Sequence, residues 1–448
     1  MKYNTYTLDN GLRIIHLPSD SKVVYCGYQI NAGTRNEEPG EEGLAHFCEH
    51  VTFKGTERRK AWHILNCLES VGGDLNAYTN KEGTVYYSAI LKEHIARAVD
   101  LLSDIVFHSV YPQAEIDKEV EVICDEIESY NDSPAELIYD EFENILFKGS
   151  SLGHNILGTA EQVRAFKTED ALRFTQKLYR PDNAIFFAYG DIDFKKLVKL
   201  IQKALGECPK GRELACSTDC NSAETPTEKR IAEETPTGET PTEEMEAGDA
   251  NHKVQSSKFN VQSKVAGQTI VMQKNTHQAH VMIGTRAYDV NDDRRMPLYL
   301  LNNMLGGPGM NAKLNLALRE HNGLVYTVES TMVAYGDTGT WSIYFGCAEH
   351  DVKRCLRLVR KELDKFMQKP LSDAQLKAAK KQIKGQIGVA CDNRENFALD
   401  FGKSFLHYGW EKNVDRLYEQ VDAITAAQIQ AVAQELFDKD RLTTLIFK

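Results

Sequence analysis

The arrangement of apolar and polar positions near the start of the chain predicts short β-strands joined by tight turns. Two alternating runs flank Asp9-Asn10-Gly11, which is typical of a hairpin turn. Apolar-rich runs over 23–29 and 85–91 predict two further strands. From residue 115 to about residue 146 the spacing becomes helical, and an apolar stripe is formed by Ile116, Val120, Ile123 and Ile127. Strands and helices are mixed without βαβ regularity, which predicts an α+β fold.

The chain also contains an internal repeat. Gly83 lies ten residues before Glu93 in the first half, and Gly339 lies ten residues before Glu349 in the second. An amphipathic run follows each pair, with the apolar positions Ala98, Leu101, Leu102 and Ile105 in one half and Cys355, Leu358, Val359 and Leu363 in the other. The repeat predicts two homologous α+β domains, each a mainly antiparallel sheet packed with helices.

A change of composition near residue 213 separates these two halves. Residues 213–268 are rich in Ser, Thr, Glu and Pro, and the stretch 221–250 contains nine acidic residues and two basic ones. Such a segment cannot bury enough apolar surface to offset the entropy lost on ordering it. We therefore expect a long, disordered acidic linker that joins an N-terminal domain, residues 1–212, to a C-terminal homologous domain, residues 269–448.

Composition and charge narrow the possible function classes. The 448 residues are 42% hydrophobic and 26% charged, which is typical of a globular protein. The net charge of −12 argues against a nucleic-acid-binding protein. No run of about 18 apolar residues predicts a membrane span, and no secretion or import segment is recognisable at the start. The ten cysteines follow no framework spacing. We expect a cytoplasmic protein without nucleic-acid or membrane partners.

The pentad His46-Phe47-Cys48-Glu49-His50 carries the most specific chemical signal. On a helix, His46 and His50 lie one turn apart on one face, where both imidazoles can reach one metal ion. Glu49 lies beside them, placed to accept a proton from water at that metal. The pattern H-x-x-E-H is the inverted form of the H-E-x-x-H zinc-peptidase motif. The alternative interpretation is a pair of ordinary histidines on a helix surface.

A catalytic zinc site needs a third protein ligand and an open position for water. Glu119 and Glu126 are seven residues apart, which is two helical turns, and both flank the apolar stripe of the 115–146 pattern. Carboxylates at the edge of a buried face can point towards a metal. A solvated acidic face is the alternative, and it fits Glu121 and Glu128 better. Spacing alone does not select Glu126 among these acids.

The pentad, followed 76 residues after His50 by Glu126, resembles the pitrilysin-type zinc peptidases. Several shorter pieces share in this resemblance, namely 43–45, 53–56, 73–79, 84–87 and the Arg319-x6-Tyr326 pattern. The resemblance covers both halves and leaves out the linker. The chain length places it with the short branch of the family, which is like mitochondrial processing peptidase. Val51-Thr52 replaces the usual Met-Leu after the pentad, which is a packing difference only.

The resemblance implies that the N-terminal domain is the catalytic, zinc-binding domain and that the C-terminal domain has no metal site. It also implies a role for each residue of the site. His46, His50 and Glu126 would bind one Zn2+ per chain, and Glu49 would be the general base. Glu119 would orient a ligand histidine. Arg319 and Tyr326 would donate hydrogen bonds to an oxyanion or a substrate carbonyl. The exposed edge strand that pairs with an extended peptide would contain Asn76, Ala77, Tyr78 and Thr79.

The implied function is that of a zinc endopeptidase that hydrolyses unfolded or extended peptides in an enclosed chamber. In long single-chain relatives the Arg/Tyr pair comes from the last domain and faces the zinc of the first, so a short chain is expected to form a homodimer with shared active sites. A catalytically inactive scaffold or chaperone-like subunit on the same fold is the alternative. The glycine-rich stretch 305–310 has a proline where a dinucleotide phosphate would need an N–H, and we expect a loop near the substrate path instead.

Overall fold

The computed structural model describes residues 1–206 and 267–448. The predicted linker therefore lies outside the described residues, apart from its last two positions. In the described part of the chain, no helix is both long enough and apolar enough to cross a membrane.

The first half builds a six-stranded sheet with helices packed on it. Its strands are β1 Asn4–Thr7, β2 Arg13–Pro18, β3 Val23–Ile30, β4 Asp74–Thr79, β5 Thr84–Leu91 and β6 Ala184–Gly190. Its helices are α1 Leu44–Thr52, α2 Ala61–Glu69, α3 Ile95–Phe107, α4 Gln113–Asn131, α5 Pro134–Leu146, α6 Ala160–Ala165, α7 Thr168–Leu178 and α8 Phe194–Leu205. The strand order is β1-β2-β6-β3-β5-β4. The predicted hairpin is confirmed, since β1 and β2 pair in antiparallel fashion around Gly11, whose φ is +91°.

The second half builds a five-stranded sheet with a similar set of helices. Its strands are β7 Thr269–Met272, β8 Ala279–Ala287, β9 Val325–Ala334, β10 Gly339–Cys347 and β11 Thr443–Phe447. Its helices are α9 Arg295–Gly306, α10 Val352–Gln368, α11 Asp373–Cys391, α12 Arg394–Tyr408, α13 Val414–Ala423 and α14 Ala426–Leu436, with a π-helical segment at Asn315–Glu320. The strand order is β7-β11-β8-β10-β9.

The two sheets share one topology once β1 is set aside. In both halves the spatial order of the five strands, numbered along the chain, is first, fifth, second, fourth, third. The pair formed by the first and fifth strands is parallel in each half, and the other pairs are antiparallel. The predicted duplication of a mainly antiparallel α+β unit is confirmed.

The long helical pattern over residues 115–146 forms two helices rather than one. Helix α4 ends at Asn131, and α5 begins at Pro134, which is its first residue. Proline has no backbone N–H to continue the helical hydrogen bonds and disfavours helical geometry in the residue before it. Asp132 and Ser133 therefore separate the two helices.

The two halves exchange helices across their common interface. Helix α5 of the first half packs on β8 and β11 of the second sheet, and α12 of the second half packs on β3 and β6 of the first sheet. Gln29 donates through Nε2 to the carbonyl of Leu399 at 2.8 Å, and Arg286 donates through Nε to the carbonyl of Leu146 at 2.7 Å. The equivalent helices therefore join the two halves symmetrically.

Candidate active site

Helix α1 presents the pentad because its other face is apolar. Leu44, Phe47, Cys48 and Val51 follow the helical spacing and are wholly buried. The opposite face then carries the two histidines and Glu49. The residue before the helix, Gly43, has φ of +96°, and a Cβ there would lie 2.7 Å from the carbonyl oxygen of Leu157. Only glycine fits at this position.

Helix α4 packs against α1 and brings Glu126 to the two histidines. The potential ligand atoms of His46, His50 and Glu126 all lie within 4.8 Å of one another, and no other such group occurs among the described residues. We name these three side chains the metal cluster. His50 Nε2 lies 3.2 Å from Glu126 Oε2, and His46 Nε2 lies 3.7 Å from Glu126 Oε1. The packing of α4 on α1 therefore brings Glu126 near both histidines, which the spacing alone did not determine. Glu121 instead pairs with Arg164 at 3.2 Å, and Glu128 is exposed.

The donor set fits a zinc ion. Two imidazoles and one carboxylate are a known ligand set of catalytic zinc. The Nδ1 atom of His50 lies 3.1 Å from Glu119 Oε1, so its Nε2 is directed towards Glu126 and is left for a metal. The Nδ1 atom of His46 is buried without a hydrogen-bond partner, which leaves its Nε2 as the atom that faces the cluster. Lys54 Nζ lies 2.5 Å from Glu119 Oε2 and balances its charge.

The electrostatics of the two histidines differ. Burial, together with the charge of His50, lowers the pKa of His46 to about 4. Burial also opposes charge on His50, but its hydrogen bonds to Glu119 and Glu126 outweigh this and raise the pKa of His50 to about 9. The hydrogen bond to His50 lowers the pKa of Glu126. Metal ligation requires neutral imidazole, so a cation would compete with the proton on His50.

Glu49 lies beside the cluster and is held by the neighbouring strand. Thr79 Oγ1 donates a hydrogen bond of 2.6 Å to Glu49 Oε2. Burial raises the pKa of Glu49, and the hydrogen bond from Thr79 opposes this rise. A carboxyl group with a raised pKa is suited to exchanging protons near neutral pH. The hydrogen bond between Thr79 and Glu49 could not be predicted from the sequence, because it depends on the packing of α1 against β4.

Strand β4 lies at the edge of the first sheet, where its strand partner is β5. Asn76 is opposite Tyr87 and Thr79 is opposite Thr84 in this pairing. One row of main-chain groups on β4 therefore has no strand partner among the described residues, as a peptide added to the sheet requires. Asn76, Ala77 and Tyr78 thus lie on an edge strand that ends beside the metal cluster.

Arg319 and Tyr326 lie together in the second half. The guanidinium carbon of Arg319 is 5.5 Å from the ring centre of Tyr326, and Tyr326 is 83% exposed. Both line a cavity of about 780 Å³ whose described walls come entirely from the second half. The glycine-rich residues 306–310 line the same cavity. The structure therefore joins the predicted pair to the glycine-rich loop, and not to His46, Glu49, His50 or Glu126 of the same chain.

Comparisons with known proteins identify the family to which this chain is similar. The family described as "Insulinase (Peptidase family M16)" matches residues 14–160, and the family described as "Peptidase M16 inactive domain" matches residues 165–383. The uncharacterized zinc protease YmxG of Bacillus subtilis is 29% identical over 444 residues, which are 98% of this chain and 97% of that protein. An uncharacterized zinc protease of Rickettsia bellii is also 29% identical, over 99% of this chain and 97% of its own length.

Solved structures share the fold along the whole chain. A protease from Helicobacter pylori superposes with a TM-score of 0.81 at 21% identity, covering 100% of this chain and 99% of that one. A peptidase M16 inactive domain from Pseudomonas fluorescens also gives a TM-score of 0.81, at 16% identity, covering 100% of this chain and 98% of that one. The family matches span both halves, and the chain therefore belongs to the pitrilysin (M16) peptidase family.

Proposed function

We propose that this protein is a zinc-dependent endopeptidase that hydrolyses unfolded or extended peptides, with one Zn2+ bound per chain. The observation that carries the proposal is the meeting of His46, His50 and Glu126 around one point, with Glu49 held beside them by a residue of an edge strand. Its relatives are named as zinc proteases. The cysteine usage of the chain is typical of a protein kept reduced, so we propose that it acts in the cytoplasm.

Each part of the site has its own role in peptide hydrolysis. Zinc, when bound, would polarise the scissile carbonyl and lower the pKa of water. Glu49 takes a proton from the attacking water and passes it to the leaving amine. Glu119 keeps His50 oriented through its Nδ1 atom. Main-chain pairing on β4 holds the peptide extended, which gives loose sequence selectivity and rejects folded chains.

We also propose that the working enzyme is a homodimer with shared active sites. Arg319 and Tyr326 supply N–H and O–H donors suited to an oxyanion, yet their cavity contains none of the metal-binding residues of the same chain. A closed two-fold assembly would bring the second half of one subunit to the metal cluster of the other and would form two equivalent sites. An enclosed chamber between the subunits would then admit unfolded peptides only.

Metal removal tests the activity itself. The purified protein should contain one zinc per chain and cleave a quenched library of unstructured peptides. Cleavage should be lost after dialysis against a chelator and should return with stoichiometric zinc, because no residue of the cluster can replace the metal. Zinc content is measured by metal analysis and peptide cleavage by fluorescence, on the same sample. A zinc-loaded protein that cleaves no peptide of the library would instead support the inactive scaffold.

A second measurement concerns the carboxylate behind His50. Glu119→Gln should weaken zinc binding by about 10- to 100-fold, because His50 loses the charged acceptor that orients its ring. Competition with a chromophoric chelator measures this affinity. The matched control is Glu121→Gln on the same helix, whose carboxylate is exposed and pairs with Arg164. Equal zinc affinities in the two variants would contradict the role assigned to Glu119.

A further inference from the structure

A buried carboxylate from outside α1 holds the start of this helix. Glu37 Oε1 accepts a hydrogen bond of 2.8 Å from the backbone N–H of Ala45, and Glu37 Oε2 accepts one of 3.1 Å from the backbone N–H of Gly43. The side chain of Glu37 is wholly buried. Its carboxylate therefore does the work that an N-cap side chain does in other helices, since Gly43 has no side chain to offer.

Helix α1 needs such support because it is short. It has nine residues, fewer than the length at which an isolated helix is stable in water. A negative charge at a helix N-terminus is favourable, and this one is held close to the first turn by two backbone hydrogen bonds. The first turn contains His46, and the second contains Glu49 and His50. Any tilt of the helix start would therefore move the atoms that must meet at the metal.

His154 secures the carboxylate and also contacts the neighbouring hairpin. Its Nε2 atom lies 2.8 Å from Glu37 Oε2. Its backbone carbonyl accepts a hydrogen bond from Lys81 Nζ, and Lys81 lies in the turn between β4 and β5. Burial raises the pKa of Glu37, and the hydrogen bond to His154 opposes this rise. One residue therefore connects the helix that carries Glu49 with the hairpin that carries Thr79.

We propose that Glu37 and His154 are positioning residues of the peptidase site, which hold α1 at a fixed distance from β4. Neither residue belongs to the metal cluster or to the edge strand. Their action is indirect: they keep the Glu49 carboxylate on Thr79 and beside the histidines while peptide binds. The inference rests on the proposed function for its kinetic test, and a structural measurement tests it separately.

The kinetic test compares two substitutions at one position. His154→Leu removes the donor to Glu37, and kcat should fall about tenfold or more, because small displacements of reacting groups are costly. KM and zinc content should stay within about twofold, since the ligands and the edge strand are intact. His154→Gln keeps an N–H donor and should restore most of kcat. His350→Leu is the matched control, because His350 is an exposed histidine of the second half.

Loss of kcat in His154→Leu without recovery in His154→Gln would overturn the proposal, and so would unchanged kcat in both. If His154→Leu fails to fold, Glu37→Gln serves in its place. Glutamine keeps the size of the side chain but has one acceptor oxygen for the two backbone donors, so kcat should again fall with KM unchanged. A variant that loses zinc and thermal stability in step with kcat would show a purely structural role and would also overturn the proposal.

Hydrogen exchange separates this inference from the proposed function. The backbone amides of Gly43 and Ala45 should exchange at least about tenfold faster in His154→Leu than in the wild type, because their acceptor is no longer held. Exchange in α3 should not change. If the wild-type protein cleaves no peptide, the proposed function fails, and faster exchange at α1 still supports the positioning role. If the protein cleaves peptides but exchange and kcat are unaltered in the variants, only the positioning role fails.

Discussion

Glu49→Gln should lower peptide hydrolysis by about 10³-fold or more, because general base catalysis by a positioned carboxylate contributes on this scale. Zinc should stay bound at one ion per chain, since His46, His50 and Glu126 are unchanged. Glutamine can still accept the hydrogen bond from Thr79, so the local structure should persist. Initial rates on a quenched peptide, with zinc measured on the same sample, test both statements.

Substitution of the proposed metal ligands should give a different result. His46→Ala or Glu126→Ala should abolish hydrolysis by emptying the site, so activity and zinc should disappear together. Glu128→Gln is the control for removal of one negative charge, because Glu128 is exposed on α4 and lies outside the cluster. A Glu49→Gln protein with near-normal turnover would rule out the mechanism, even if the metal site proved correct.

Part of this site could be predicted from sequence because it depends on short-range geometry. A spacing of four residues places His46 and His50 on one helix face, opposite the apolar positions of α1. The duplication could also be predicted from the sequence. The spacing from Gly83 to Glu93 equals that from Gly339 to Glu349, because each half has the same order of strand, turn and helix at this point.

Other parts of the site depend on packing between distant segments. Glu119, Glu121, Glu126 and Glu128 all lie on α4, and only the packing of α4 on α1 determines that Glu126 lies near both histidines and that Glu119 contacts only His50 of the two. The hydrogen bond between Thr79 and Glu49 also depends on tertiary packing, as does the packing of α5 and α12 on the sheet of the other half. Neither could be predicted from the sequence. The break at Pro134 was within reach of sequence reasoning, because proline rarely continues a helix.

The cavity that Arg319 and Tyr326 line contains no residue of the metal cluster of the same chain, and this leads to a sharper expectation about assembly. If the second half of one subunit completes the site of its partner, each site takes its metal cluster from one chain and its oxyanion donors from the other. A chain with Glu49→Gln and a chain with Tyr326→Phe should each be inactive alone. The first lacks the general base. The second lacks an O–H donor, and loss of such a donor lowers kcat by about 10²- to 10³-fold.

Mixing these two inactive proteins should restore activity. In a mixed dimer one site carries both defects and the other carries neither. With random exchange, half of the dimers are mixed and each has one intact site of two, so about a quarter of wild-type activity is expected. Mixing Glu49→Gln with Glu126→Ala is the matched control, because both defects lie in the first half and no intact site can form. Subunit exchange is followed with two affinity tags. Demonstrated exchange without recovery in the first mixture would mean that Arg319 and Tyr326 act within their own chain or not at all.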